Sequence, residues 1–208
     1  MMLTEDLLRR ALGWTSAPAP ARVVLGLAGP PGAGKSTLAA RLVEAAAGRA
    51  VLVPMDGFHL AQVELERLGR THRKGAPDTF DAAGYVALLR RLRAPGPDVV
   101  YAPEFDRALE EPVAGAIPVG PDVPLVVTEG NYLLLDDGPW AQVRPLLDEC
   151  WYVDLDDVVR LDRLTARHVA FGKSPQAARR WATGPDEANA RLVADTRARA
   201  DVVVTNSA

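Results

Sequence analysis

A run of small, flexible residues ending in a lysine and two hydroxyls is the first feature of this chain that could do chemistry. Gly29, Pro30, Pro31, Gly32, Ala33, Gly34, Lys35, Ser36 and Thr37 follow one another. They fit G-x-x-x-x-G-K-[ST] at each fixed position. Glycines let backbone N–H groups curl around a phosphate, and a following helix adds its dipole. Lys35 is suited to reach the β and γ phosphates of a nucleotide, and the Ser36 hydroxyl to ligate Mg²⁺. Such a lysine is expected to be exposed when no ligand is bound. The bland alternative is a glycine turn that only caps a helix. The context argues against it: Val23 to Ala28 reads as a buried strand, and Thr37 to Ala46 is rich in helix formers.

Two carboxylates follow apolar runs. Asp56 comes after Val51-Leu52-Val53-Pro54-Met55. A carboxylate there can take the proton of an attacking hydroxyl, or merely cap the next helical segment. Glu129 ends Pro124-Leu125-Val126-Val127-Thr128. An acid at the end of a buried run is costly unless paired or used, and here it could hold Mg²⁺ together with Ser36. Arg160, Arg163 and Arg167 lie at i, i+3 and i+7 and are read as one helical face able to close over phosphates, with Arg163 and Arg167 favoured. The competing reading is a solvated basic face paired with Asp156, Asp157 and Asp162. His59, Arg73, Lys74, Tyr101 and Arg107 sit in loops and, as a group, could hydrogen-bond a polar substrate. His72 and His168 carry weaker signals, and the histidines lack zinc-ligand spacing. Trp14 and Trp181 read as packing residues.

These residues must be positioned by a scaffold, and the chain is long enough to supply one. It has 208 residues, 48% hydrophobic and 25% charged, with net charge −3. That composition suits a single α/β domain over residues 1–208 and gives no bulk basic charge for nucleic acid. The lone Cys150 offers no intramolecular disulfide and reads as a small buried hydrophobe. No apolar run is long enough to span a bilayer, and the N-terminus shows no signal-peptide core. A cytoplasmic protein without membrane contact is the expectation; a homodimer is left open.

Five apolar strands are expected: 23–28, 50–55, 124–128, 150–155 and 201–204. Helices are expected over 3–12, 60–68, 82–93 and 157–170, with two more flanking Gly184-Pro185. Residues 1–20 form an N-terminal helix and a stiff Ser16-Ala17-Pro18-Ala19-Pro20 linker. Pro95-Gly96-Pro97 ends the helix over 82–93. The Pro- and Gly-rich stretch 98–120 excludes long helices and suits a small β excursion. Apolar strands alternating with helices give a parallel sheet covered on both faces, a three-layer α/β/α sandwich. Ligands bind such sheets at the carboxyl ends of the strands. Those ends carry the phosphate loop, Asp56, Glu129 and Asp154, and the first three should converge. Glu129 can reach Ser36 only if its strand lies beside the first, so the expected strand order is 2-3-1-4-5.

The motifs together resemble the P-loop kinases of the phosphoribulokinase, uridine kinase and pantothenate kinase family. The likeness lies in Gly29–Thr37, Asp56-Gly57-Phe58-His59, Pro77-Asp78-Thr79-Phe80-Asp81, Tyr101 to Arg107, Glu129-Gly130, Arg163 with Arg167, and Ala200 to Val204. It covers most of residues 21–205, and its nearest branch is the nucleoside/nucleotide kinase-like one. The resemblance implies a P-loop NTPase fold with a helical lid over about 156–185, Asp56 as catalytic base, and Arg163 and Arg167 as lid arginines. ATP and Mg²⁺ are the implied cofactors, and a small hydroxyl-bearing metabolite is the partner. A GTPase-type switch is the second reading. Asp81-Ala82-Ala83-Gly84 fits D-x-x-G, but no apolar strand precedes it and no Asn-Lys-x-Asp occurs.

Overall fold

The computed structural model describes residues 5–16, 22–94 and 96–206. Leu3, the linker residues 17–20 and Pro95 lie outside them. Strands β1 (Val23–Ala28), β2 (Ala50–Pro54), β5 (Leu125–Gly130), β6 (Glu149–Asp154) and β7 (Val202–Thr205) build one parallel sheet. Its spatial order is β2-β5-β1-β6-β7. Counting only these core strands along the chain, that is the expected 2-3-1-4-5. The extra numbers belong to an antiparallel hairpin, β3 (Val100–Asp106) and β4 (Glu111–Val119), which forms a separate two-stranded sheet. This is the β excursion expected between 98 and 120.

The strands read as continuous apolar runs because both faces of the sheet are covered. On β5, Val126 packs into one core cluster with Val53, Tyr85, Leu89 and Trp140. Its neighbours Leu125 and Val127 pack into the other, with Leu27, Leu38, Leu42 and Trp151. The first face is covered by α4 (Ala82–Arg93), the second by α2 (Lys35–Ala45) and α1 (Glu5–Trp14). Cys150 is fully buried in the first cluster. Trp14 rests 6.2 Å from Trp151, a packing role as expected.

Shorter elements complete the chain. The helix expected over 60–68 is α3 (Gln62–Arg67), and short 3₁₀ turns occupy Thr71–Arg73 and Pro77–Thr79. Helices α5 (Asp157–Ala170), α6 (Pro175–Thr183) and α7 (Pro185–Ala194) follow β6. Asp81 caps α4 by accepting from the Gly84 N–H at 2.8 Å, so the D-x-x-G sequence is a helix cap. Register fixes the functional end of the sheet: Glu129 lies between Leu27 on β1 and Pro54 on β2.

Candidate active site

The phosphate loop joins β1 to α2, and Gly34 takes a left-handed conformation (φ 97°) just before the helix starts. A side chain there would also strike Asn206, 2.6 Å from where its Cβ would sit. Lys35 corrects the expectation of an exposed lysine: it is buried, 7% exposed. Its Nζ donates to Gly29 O at 2.9 Å, Pro30 O at 3.1 Å and Asn131 Oδ1 at 2.8 Å. The loop folds back over its own cation. Burial lowers the Lys35 pKa to about 8, against the pull of the Glu129 and Asp56 charges.

Glu129 is equally buried, and its Oε1 accepts from Ser36 Oγ at 3.0 Å. Burial first, and then the Asp56 charge, raise its pKa; Lys35 and the Ser36 hydrogen bond oppose them. A hydroxyl and a buried carboxylate this close are hard oxygen donors, the type Mg²⁺ takes one or two at a time alongside phosphate oxygens and water. The donor set fits that ion. The buried carboxylate would gain a close charge partner beyond Lys35 and Arg107, which now offset its charge.

Asp56 sits in a 3₁₀ turn, Met55–Phe58, directly after β2. The glycine beside it has a definite reason. A Cβ on Gly57 would lie 2.3 Å from the Pro103 carbonyl oxygen, so only glycine lets the β3 backbone press on this turn. That approach carries Arg107, just past β3, to Asp56: Nη2 lies 3.2 Å from Oδ2. His59 Nδ1 donates to the Asp56 carbonyl at 2.8 Å, and its ring packs 4.0 Å from Phe80 and 4.9 Å from Phe105.

Two cavities meet here. One, of about 520 Å³, is lined by Gly32, Gly34, Lys35, Ser36, Thr37, Arg163, Arg167 and Asn206. The other, of about 160 Å³, is lined by Asp56, His59, Lys74, Asn131, Trp181 and Asn189 among others. Arg107, Arg167 and Phe171 border both. Phosphate loop, Asp56 and Glu129 therefore do converge, while Asp154 pairs with Arg197 at 3.0 Å beside a separate cavity.

Several expected site residues lie elsewhere. Arg160 shares its helix face with Arg163 and Arg167, but it lies in the first turn of α5, where the chain covers it, whereas the other two are exposed. It is fully buried and ties α5 to α7, donating to Asp157 at 2.8 Å and Glu187 at 2.6 Å. Tyr101 is 57% exposed, because strand alternation turns Ala102 inward and Tyr101 outward. It borders neither cavity. Arg73 is held by Asp78 at 2.6 Å and braces its own loop. His72 is exposed. Lys74 and Arg107 do reach the smaller cavity. So do His168 and Trp181, the latter as a wall and not only as packing.

Asn131 was not singled out from the sequence, although it follows Glu129-Gly130 at a strand end and the strand-end rule could have selected it. Phe105, Phe171, Asp186, Asn189 and Asn206 had no local signal.

No protein-family model matches the chain. A candidate uridine kinase of Schizosaccharomyces pombe is 39% identical over 160 residues, which cover 73% of this chain and 68% of that protein. The chain belongs to the P-loop kinases of the phosphoribulokinase, uridine kinase and pantothenate kinase family. Another relative, an ATP-dependent kinase-like protein of Aspergillus versicolor, is 37% identical over 132 residues, covering 60% of this chain and 76% of its own. Among solved structures, a Silicibacter protein described as a proposed fructose transport system kinase superposes with a TM-score of 0.87 at 37% identity. That match covers 98% of this chain and 100% of the other. The P-loop kinase fold thus extends over nearly the whole sequence.

Proposed function

We propose that this P-loop kinase uses ATP and Mg²⁺ to phosphorylate a hydroxyl of a small metabolite, of the sugar, nucleoside or pantothenate-like classes. Its partner is a small molecule, not nucleic acid or membrane, and its setting is the cytoplasm. Among the described residues no helix is long and apolar enough to cross a membrane.

One observation carries the reading. A cavity with phosphate-binding groups adjoins a smaller cavity that holds a carboxylate, and the two share Arg107 and Arg167. A phosphate loop alone makes a nucleotide binder. A carboxylate across from it makes a place for an acceptor. In the reaction the acceptor oxygen bonds to the γ-phosphorus as the bond to the β–γ bridging oxygen breaks. The hydroxyl proton passes to Asp56, and ADP leaves with the bridging oxygen. Lys35, Arg163 and Arg167 offset the charge that grows on the phosphoryl oxygens. Ser36 and Glu129 would hold the Mg²⁺, which neutralises phosphate charge when bound.

The test is ADP formation against a panel of sugars, nucleosides, pantothenate and glycerate. Strong stimulation by one acceptor class is expected. ATP turnover that no acceptor stimulates would return the chain to a nucleotide-binding module.

A further inference from the structure

The smaller cavity has a charge pattern of its own. Lys74 and Arg107 stand over the same Phe105 ring, with Lys74 Nζ 5.3 Å and Arg107 Cζ 5.6 Å from its centre. Lys173 Nζ lies 5.3 Å from the Trp181 ring, and both line the same cavity. Arg167 completes four cations around one space.

The carboxylates nearby offset them only in part. Asp186 is engaged by His168 Nε2 at 2.7 Å. Asp56 is shared with Arg107 and must turn to the acceptor hydroxyl. The Glu110 carboxylate is mostly exposed and stands 3.8 Å from Lys74, whose Nζ bonds the Glu110 carbonyl at 2.9 Å instead. Arg167 and Lys173 have no carboxylate within ion-pair distance among the described residues. Like charges gathered in a half-enclosed cleft repel one another and favour an incoming anion.

A second observation points to a ligand in the same place. Asn189 is 7% exposed and lines this cavity, and its amide, which makes no hydrogen bond among the described residues, keeps its polar atoms open to that space. One amide offers both donor and acceptor, which suits a hydroxyl or a diol. The space is compact, 160 Å³ beside the 520 Å³ of the nucleotide side.

We propose that the acceptor is a compact polyol carrying an oxyanion, either a carboxylate or a phosphate, with Lys74 and Lys173 binding the anion and Asn189 a hydroxyl. The proposal rests on the kinase reading and narrows it from hydroxyl compounds at large to anionic ones. Neutral sugars and nucleosides leave Lys173 without a counterion and Lys74 with only the largely exposed Glu110 carboxylate. Carboxylate and phosphate share the oxygen geometry, and the experiment separates them.

The experiment uses the full chain loaded with Mg²⁺ and a non-hydrolysable ATP analogue. Calorimetry measures binding within two matched sets: glycerol, glycerate and glycerol 3-phosphate, then fructose, gluconate and fructose 6-phosphate. ADP formation from ATP is followed with the same compounds. An anionic member is expected to bind at least ~10-fold more tightly than its neutral partner, as a charge-assisted contact implies. Which anion leads identifies the oxyanion. Lys74→Gln and Lys173→Gln should each weaken that member by roughly 10- to 100-fold and raise its KM, with little change for the neutral one. Lys173 is exposed, so its variant keeps the test available should Lys74→Gln disturb its loop. Neutral members that bind as well as anionic ones, or lysine variants that weaken both alike, overturn the proposal. If a neutral member then drives ADP formation, the kinase reading survives that failure. Anion binding lost in Lys173→Gln, with no compound stimulating ADP formation, supports the anion site and removes the kinase reading instead.

Discussion

Replacing Asp56 by asparagine separates phosphoryl transfer from nucleotide binding. The change keeps shape and one acceptor oxygen but removes the basic site. General-base contributions are typically ~10²–10⁴-fold, or about 3–5 kcal/mol of transition-state stabilisation. Phosphotransfer should fall by that factor. Stability should barely change, because two effects oppose. The Asp56–Arg107 pair lies at 3.2 Å with side chains 31% and 43% exposed, and so contributes only ~0–1 kcal/mol. Against this, the Asp56 charge raises the pKa of buried Glu129 and so disfavours its ionised form; burial is the larger cause. Neutralising Asp56 removes that repulsion. The net shift should lie within ~1 kcal/mol, or about 2–4 °C in Tm for a chain of this size. The assay is paired: calorimetry with a non-hydrolysable ATP analogue, then product formation with the best acceptor. Unchanged nucleotide affinity with transfer down at least ~10²-fold is expected. Wild-type transfer would place the base elsewhere. Lost nucleotide binding would move Asp56 to the phosphate side of the site.

Lys35→Ala should lower turnover by at least ~10²-fold, measured by initial rates. It should still fold by circular dichroism, since the loss of the buried ammonium also removes its desolvation cost. Arg160→Ala leaves Glu187 without its buried partner, so about 3–5 kcal/mol of stability should be lost, visible as a Tm drop of roughly 10 °C. His59 has its pKa lowered from 6.5 by burial, with Lys74 and Arg107 adding to the effect and Asp56 opposing it. The unfolded chain therefore takes up this proton first, and stability should decline as pH falls below 6.5. His59→Phe, which suits its aromatic neighbours, should flatten that decline in urea titrations across pH. Hydrogen exchange in α5 beyond Leu164, and into α6, should slow when an ATP analogue binds; unchanged exchange would make Arg163 and Arg167 ordinary surface residues.

Much of the fold was legible because each core strand announces itself. Val23 to Ala28 and Leu125 to Thr128 are apolar on both faces, and a loop of fixed spacing anchors the first strand. Strand order followed from one chemical requirement, that Glu129 reach Ser36. The errors have local causes. Arg160 does share a face with Arg167, but it lies in the first turn of α5, where Asp157 and Glu187 enclose it. Tyr101 was judged by its type, while strand alternation turned it outward. Lys35 was expected in solvent because a loop sequence does not show that its own carbonyls will fold over the ammonium. Asn189 and Asp186 reach the smaller cavity through the packing of α7 against α5, a long-range contact that leaves no trace in local spacing.

The ion pair between Arg107 and Asp56 bears on how the protein behaves while it waits. With no acceptor in place, the guanidinium occupies the carboxylate that could otherwise orient water toward the γ-phosphorus. On the proposed function, an idle molecule holding ATP would therefore be poorly equipped to waste it. An acceptor that displaced Arg107 would, on the same proposal, free Asp56 as the base at the moment a useful nucleophile arrived. Arg107 borders both cavities, so the displaced guanidinium can swing toward the phosphates. Thrift with ATP and readiness to transfer would then depend on the same side chain, carried by a hairpin that only a glycine at position 57 allows so near.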